Sequence, residues 1–284
     1  MGSILMFRTF LKERWHLIVA LLLFIVGSTC AVLLYEKYVD DDIFILEMFY
    51  HDEFKKSVYL VGISNTDYPP LLVHQKNKPT GLDIDIISWI AREMDIQVAF
   101  VPMTWDAIFD ALRNGEIDMI MSGASITPER MEVFQFSDPY FPVDQAIAVP
   151  EYSSYSLNEF YGGNGTIGVG VGTTSEALVY DLLIASGITD ESKLRVVDGI
   201  GVGIRDLMHG QFDYFVADQP IMMTYGSQYQ IKIIGSISTG EEYGIVFRKD
   251  NNWLRHTVNT GLNRLFSSPD WEEMKSKYTV PTLL

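Results

Sequence analysis

From Lys55 onward, hydrophobic segments alternate with short polar breaks in a rhythm that is typical of strands followed by helices. The first round predicts a strand at 57–64, a helix from Gly81 to Asp95, a strand at 96–103, a helix ending at Gly115, a strand from Ile117, and a short helix with Pro128 just inside its start. This β-α-β-α-β order indicates an α/β fold with a mostly parallel sheet.

A second round of the same texture begins near residue 150. It predicts a strand, glycine-rich turn and helix over 165–183, a strand at 193–198, a helix at 201–211, a strand at 212–219, a helix at 220–229, strands at 231–235 and 241–249, and one or two helices within 253–278. There is no strict repeat at a period of 20–50 residues, which excludes a solenoid. Two such rounds predict two lobes, and small ligands commonly bind in the cleft between lobes.

The segment before these rounds has a different character. Trp15 to Tyr35 is a stretch of 21 residues without a charge, long enough to cross a membrane as a helix. Arg8, Lys12 and Arg14 precede it and acidic residues follow it, so the positive-inside rule places residues 1–14 in the cytoplasm and the rest outside. We therefore expect a transmembrane anchor or signal segment at 15–35 and a juxtamembrane linker at 36–54.

Two other fates of this segment remain open. Gly27, Ser28 and Thr29 are small residues late in the stretch, which would suit a cleaved signal and a secreted product. Cys30 follows them and could be lipidated, although Gly27 and Thr29 stand where a lipobox usually has leucine and glycine or alanine. Retention as a single-pass anchor, with the remainder of the chain extracellular or periplasmic, is the favoured interpretation.

Composition removes several function classes. Cys30 is the single cysteine, so the chain has no intrachain disulfide and no cysteine-based zinc cluster, and the five histidines lack the HExxH spacing. With 21 Lys and Arg against 37 Asp and Glu, the formal charge is −16, which argues against nucleic-acid binding. We expect no metal and no cofactor. The charge does not exclude a small anionic ligand held by local donors.

Three polar features stand where strands give way to helices. The GVGVGTTSE segment at 168–176 lacks the lysine of a phosphate loop and the Rossmann spacing, but Thr173 and Thr174 could offer donors to an anion. Arg130 could hold a carboxylate in a two-pronged contact, and Asp218 ends an apolar strand, where it could bind an ammonium group. Each has a plain alternative as a helix cap or a surface residue. Together with the aromatic Tyr68 and Trp105, they fit a zwitterionic α-amino acid.

Residues of about 57–280 resemble the family 3 extracellular solute-binding proteins, which serve polar amino-acid ABC transporters and share their fold with the ligand domains of ionotropic glutamate receptors. The stretches that carry the resemblance are YPPL (68–71), GLDID (81–85), WDAI (105–108), LRNGEID (112–118), SITPER (125–130), FSDPY (136–140), GTT (172–174) and EYGI (242–245).

The resemblance implies a type II periplasmic-binding-protein fold with two lobes and a ligand cleft between them. Lobe 1 would comprise residues 55–146 and 239–284, and lobe 2 would comprise residues 147–238. Hinges would lie near 146–150 and 234–240.

The resemblance also implies roles for single residues. Arg130 would clamp the ligand carboxylate, helped by Thr174 and by backbone amides near Ser125 and Thr173. Ser125 and the Gly123 carbonyl would receive the ammonium group together with Asp218, and Tyr68 and Trp105 would flank the side chain. Asn65 stands where members that bind basic amino acids tend to have an acid, although Asp67 lies close in sequence. Asp83 and Asp85 are interpreted as helix-start and packing residues.

The expected function is an extracytoplasmic, monomeric receptor without catalytic residues. It would deliver a polar or neutral amino acid to the permease subunit of an ABC importer by hinge closure, and an anchor would keep it near that permease. Two alternatives stay open: a receptor that senses an amino acid and acts in trans on a signalling protein, and an enzyme like cyclohexadienyl or arogenate dehydratase.

Overall fold

The computed structural model of the protein describes residues 56–76 and 78–278. The predicted cytoplasmic N-terminus, the segment 15–35 with Cys30, and the linker 36–54 lie outside the described residues. Within the described ranges, none of the helices combines the length and the apolar character needed to cross a membrane.

Twelve strands are described in these ranges. In chain order they are β1 (Tyr59–Ser64), β2 (Val73–Gln75), β3 (Lys78–Thr80), β4 (Val98–Met103), β5 (Met119–Ile120), β6 (Phe134–Phe136), β7 (Phe141–Pro150), β8 (Ile167–Gly170), β9 (Leu194–Val197), β10 (Tyr214–Asp218), β11 (Ile231–Tyr243) and β12 (Val246–Arg248).

Apart from the short helix Leu157–Tyr161, which the sequence analysis did not predict, the α-helices of the described residues follow the sequence pattern closely. They are α1 (Leu82–Glu93), α2 (Trp105–Asn114), α3 (Pro128–Val133), α4 (Leu157–Tyr161), α5 (Thr174–Val179), α6 (Ile200–Met208), α7 (Gln219–Gly226), α8 (Asn252–Phe266) and α9 (Pro269–Lys277). A π-helical turn at Tyr180–Ala185 continues α5, and a 3₁₀ turn at Glu191–Lys193 precedes β9.

Two five-stranded sheets form the centres of the two lobes. The first has the order β4-β1-β5-β12-β6, and the second has the order β11-β7-β10-β8-β9. In each sheet four strands run in one direction, while β12 in the first and β7 in the second run in the opposite direction and pair antiparallel with both of their neighbours, so half of the pairings in each sheet are parallel. The sheets are therefore mixed, and the expectation of a mostly parallel sheet is only half right. The reversed strands are those at which the chain changes sheets: β7, where it enters the second sheet, and β12, where it re-enters the first.

The two strands β7 and β11 pair with each other over almost their full length, from Phe141 opposite Tyr243 to Pro150 opposite Ile231. The prediction of separate strands at 231–235 and 241–249 was wrong at this point. The first strand continues to Tyr243, and the chain then leaves the ladder, because the Gly244 amide donates to the Ala124 carbonyl and the Ile245 amide donates to Ser137 Oγ. β12 begins only at Val246.

Local signals fix the helices that face the cleft. α2 ends at Gly115, whose φ of +77° is the left-handed conformation that glycine adopts without strain. Thr127 caps α3, with its side-chain oxygen accepting from the Arg130 amide, and Thr173 caps α5 in the same way through the Glu176 amide. The two threonine caps fix the starts of α3 and α5, where Arg130 and Thr174 lie.

The core of the first lobe lies between its sheet and the pair α1 and α8. Ile87, Ile90 and Leu262 are fully buried there, and each such side chain contributes about 1.5–3 kcal/mol by leaving water. The last helix returns to α1: Trp89 donates to Asp270 over 2.6 Å, and the Tyr278 hydroxyl donates to Asp85 over 2.7 Å. These two bonds hold α9 against α1.

Candidate functional site

A cavity of about 80 Å³ lies between the two lobes. Its walls come from the carboxyl ends of β1, β5, β8 and β10 and from the starts of α2, α6 and α7, which is where parallel strands place ligands. The lining residues are Ser64, Thr66, Tyr68, Trp105, Ser122, Gly123, Gly170, Val171, Thr173, Gly199, Ile200, Asp218 and Ile221.

A wider groove of about 730 Å³ adjoins the cavity, and Thr173 lines both. Arg130 lies in this groove beside Thr174. Its guanidinium donates to the Ser125 carbonyl over 2.9 Å and to the Gly172 carbonyl over 3.2 Å. The charge also stacks on Trp105 and Phe109, at 5.4 and 5.1 Å from the ring centres. Burial lowers the pKa of Arg130, partly offset by the nearby carboxylates of Asp218 and Glu241.

The Gly172 carbonyl is a meeting point of the lobes. It accepts from Arg130 and also from the Trp105 indole nitrogen, 3.1 Å away. Gly172 has a φ of +65°, a left-handed conformation that glycine adopts without strain, and this conformation places its carbonyl at the Trp105 ring. A second contact across the cleft runs from the Tyr225 hydroxyl to the Asp67 carbonyl over 3.2 Å.

Asp218 is the acid in the wall of the cavity. Its carboxylate accepts from the Gln145 amide over 2.7 Å and from the Tyr243 hydroxyl. Burial raises its pKa to about 6, although both hydrogen bonds act in the opposite direction. An ammonium group placed in the cavity would meet this carboxylate.

Gln145 was missed by the sequence analysis, and it connects the predicted ligand residues. It is fully buried on β7, and its amide nitrogen lies 2.7 Å from Asp218 Oδ1 and 3.3 Å from Thr174 Oγ1. The Ser175 hydroxyl donates to its carbonyl over 2.6 Å and so fixes which way the amide faces. The one available signal was a pair of polar residues, Asp144 and Gln145, in a segment whose other residues are apolar.

Glu241 is a second acid that the sequence analysis did not select. Its Oε1 lies 3.3 Å from the Gln145 amide nitrogen, while its buried Oε2 has no hydrogen-bond partner. Gln145 thus bridges two carboxylates, one on the second lobe and one on the strand β11 that joins the lobes.

Asp83 supports the opposite wall of the cavity. It is fully buried and accepts from the Gly123 amide over 2.9 Å, from the Tyr140 hydroxyl over 3.0 Å, and from the Tyr68 hydroxyl over 3.2 Å. Burial raises its pKa to about 7. Its interpretation as a simple helix-start residue is therefore incomplete, because it orients Tyr68 and Gly123.

Of the predicted ligand residues, Tyr68, Trp105, Gly123, Thr173 and Asp218 line the cavity, and Arg130 and Thr174 line the adjoining groove.

Ser125 and Asn65 are placed differently. Ser125 is buried and contributes its carbonyl to Arg130 and a backbone bridge to Tyr243. Asn65 is exposed, with its amide bonded to the Met103 carbonyl, and it does not line the cavity. The neighbouring Thr66 does, because alternate residues at the end of β1 face opposite ways.

No group of three or more His, Cys, Asp or Glu side chains within 56–76 and 78–278 is arranged to hold a metal ion.

Comparison with known proteins agrees with this architecture. Residues 60–281 match the model of the bacterial extracellular solute-binding proteins, family 3. The chain belongs to this family. The resemblance stated from the sequence motifs is confirmed, as is the two-lobed type II fold that it implied.

Relatives of this solute-binding protein carry names of amino-acid-binding proteins. A probable histidine-binding protein of Neisseria gonorrhoeae is 29% identical over 226 residues, which cover 78% of this chain and 82% of the relative. The arginine-binding extracellular protein ArtP of Bacillus subtilis strain 168 is 25% identical, with 78% and 86% covered.

Solved structures agree as well. An ancestral arginine-binding protein bound to glutamine matches with a TM-score of 0.71 and 32% identity over 78% of this chain and 98% of its own. The ancestral amino acid-binding protein AncCDT-1, a precursor of cyclohexadienyl dehydratase, matches with a TM-score of 0.69 and 29% identity over 78% and 95%.

Proposed function

We propose that this solute-binding protein is an extracytoplasmic receptor for a polar or neutral amino acid, which it delivers to an ABC importer. One observation carries the proposal: a guanidinium at Arg130 and a carboxylate at Asp218 flank adjoining spaces in one cleft. A zwitterionic amino acid needs one partner of each charge, and aromatic rings at Tyr68 and Trp105 provide an apolar wall for its side chain.

In the proposed complex the ligand carboxylate lies against Arg130 and the free donors at the start of α5, including Thr173 and Thr174. The ammonium group faces Asp218, with the Gly123 carbonyl and Ser125 on the other side. Gln145 bonds to both Asp218 and Thr174 and thereby holds the partner of the ammonium group and a partner of the carboxylate at a fixed separation.

We propose further that the two lobes close around the ligand. Lobe 1 comprises 55–146 and 239–284, lobe 2 comprises 147–238, and the β7–β11 pair carries the hinge. Binding favours the closed arrangement, in which Trp105 and Arg130 reach Gly172, and the closed monomer docks on the permease subunit. Anchoring through residues 15–35 is part of this proposal and would keep the receptor close to the importer.

A dehydratase is the alternative that the similarity to AncCDT-1 brings forward. Such an enzyme needs an acid that can give a proton to a leaving group. The carboxylate that lines the cavity, Asp218, already accepts two hydrogen bonds and is placed to hold an ammonium group, so binding without turnover is favoured. Assays with prephenate and arogenate should show no product.

Calorimetry with the full-length chain in mild detergent tests the binding function. Titration with each of the twenty amino acids should give heat with at least one of them, and Arg130→Lys should weaken that binding by at least tenfold, since lysine cannot make the two-pronged contact. The absence of binding heat with all twenty amino acids would overturn the proposal. If an amino acid binds but no permease gene lies next to the gene of this protein, a sensing role would be favoured over transport.

A further inference from the structure

We infer that the cleft selects an amino acid with a short, uncharged side chain and favours one that carries a hydroxyl. The inference rests on the proposed function and concerns the far end of the same cavity, between β1 and α6. It separates this chain from the relatives named for arginine, although they share its fold.

Size is the first argument. One water-sized group needs about 10–15 Å³ of such space, so a cavity of about 80 Å³ accepts about five to eight heavy atoms. Because the ligand carboxylate lies in the adjoining groove, the cavity has to hold the ammonium group, the α-carbon and the side chain, which are about three to five heavy atoms for alanine, serine and threonine and about nine for arginine. At the far end the two lobes approach each other, because a Cβ on Gly199 would be in van der Waals contact with Thr66, 3.4 Å from its Oγ1.

Charge is the second argument. Among the described residues that line the cavity, Asp218 is the carboxylate, and it faces the expected ammonium group. Asp67 is the next acid in sequence, but its side chain is 48% exposed and bonds to the amide and ring of His74 at 2.8 and 2.9 Å. A guanidinium or a second ammonium at the far end would be desolvated without a partner, which is costly.

The third argument comes from two neighbouring hydroxyl groups in the cavity wall, those of Ser64 and Thr66. Ser64 Oγ and Thr66 Oγ1 lie 3.0 Å apart, and either atom can donate to the other. Ser64 Oγ also accepts from the Thr66 amide over 3.1 Å. One hydroxyl hydrogen satisfies the pair, so the second hydrogen can be donated to a ligand oxygen. Ile200 and Ile221 form the apolar side of the same space.

A ligand panel on the full-length chain tests the inference. Serine, threonine and alanine should bind at least tenfold more tightly than arginine, lysine or histidine, and serine or threonine more tightly than alanine. If a cationic amino acid binds as tightly as serine, the inference is overturned while the proposed function stands. If no amino acid binds, the proposed function itself is overturned, so the two failures are distinguishable.

Two variants of α6 locate the specificity. Ile200→Ala removes side-chain volume from the cavity wall and should raise the affinity for glutamine relative to serine at least threefold. Ile204→Ala makes the same truncation one turn later in the same helix, at a buried residue that does not line the cavity. It should lower stability but leave the ratio unchanged. An equal change of the ratio in both variants would contradict the assignment.

Discussion

Single residues in this cleft act through charges held partly out of water. Asp218 and Asp83 lie on opposite walls, and burial raises the pKa of each, to about 6 and about 7. Asp218 would touch the ligand, whereas Asp83 stands behind Tyr68 and Gly123. Their titrations should therefore appear in different measurements.

The pH dependence of the ligand affinity should reflect the ionisation of Asp218. An ammonium group binds the ionised carboxylate, so the affinity should be constant above about pH 7 and should fall by up to about tenfold per pH unit well below pH 6. Asp218→Asn should bind more weakly and should lose this acid limb. Calorimetric titrations between pH 4.5 and 8 measure this dependence. If the affinity of Asp218→Asn still decreases at low pH as in the parent, the role of Asp218 is contradicted.

The pH dependence of the free energy of unfolding should reflect the ionisation of Asp83. Its pKa rises from 3.8 to about 7 on folding, so the folded state keeps a proton that the unfolded chain releases. The associated stability is fully present below about pH 4 and is lost as the pH rises through 7. Asp83→Asn is neutral throughout, so its free energy of unfolding should fall less than that of the parent between pH 5 and 8. If chemical denaturation shows the same decrease in the free energy of unfolding for the parent and for Asp83→Asn between pH 5 and 8, this prediction is wrong.

The helices and strands show what local sequence can and cannot determine. Gly115 and Pro128 marked helix ends, because helix termini depend on a few neighbouring residues. The course of β11 past residue 235 and the break at Gly244 depend on pairing with β7 and on bonds to Ala124 and Ser137, which are distant in sequence. Gln145 and Glu241 were missed for the same reason. Arg130 and Asp218 were found because strand and helix ends are visible locally.

Helix α6 permits a matched test of packing. Gly203→Ala would normally favour a helix, but the added Cβ would lie 2.2 Å from the buried ring of Phe215. We expect a loss of about 1–3 kcal/mol in the free energy of unfolding. Gly201→Ala on the exposed side of the same helix meets only the Tyr225 hydroxyl at 3.3 Å and should change stability far less. Urea denaturation measures the free energy of unfolding of both variants. An equal loss in Gly203→Ala and Gly201→Ala would contradict the packing argument.

At the scale of the whole molecule, contacts between lobes should set part of the ligand affinity. The Tyr225 hydroxyl bonds to the Asp67 carbonyl across the cleft without lining the cavity. Tyr225→Phe keeps the ring and removes a bond worth about 0.5–1.5 kcal/mol, so affinity should fall about two- to tenfold, mainly through faster release.

Tyr229→Phe provides the control for this prediction. Its ring lies 5.6 Å from that of Tyr225, and the residue is 44% exposed. Stopped-flow release rates should be unchanged in this variant. A Tyr225→Phe protein with unaltered release would show that the cross-cleft bond does not contribute to closure.

The pairing of β7 with β11 has a mechanical consequence. Two separate tethers would let one lobe slide past the other, whereas strands joined by hydrogen bonds along their length resist shear and leave bending and twisting as the soft degrees of freedom. The ladder is irregular between Ile237 and Glu241, and this stretch should be its most compliant joint. Gln145 and Glu241 lie beside that joint, and Gln145 bonds to Asp218, so under the proposed hinge motion a ligand bound at Asp218 would act close to the axis about which the lobes rotate.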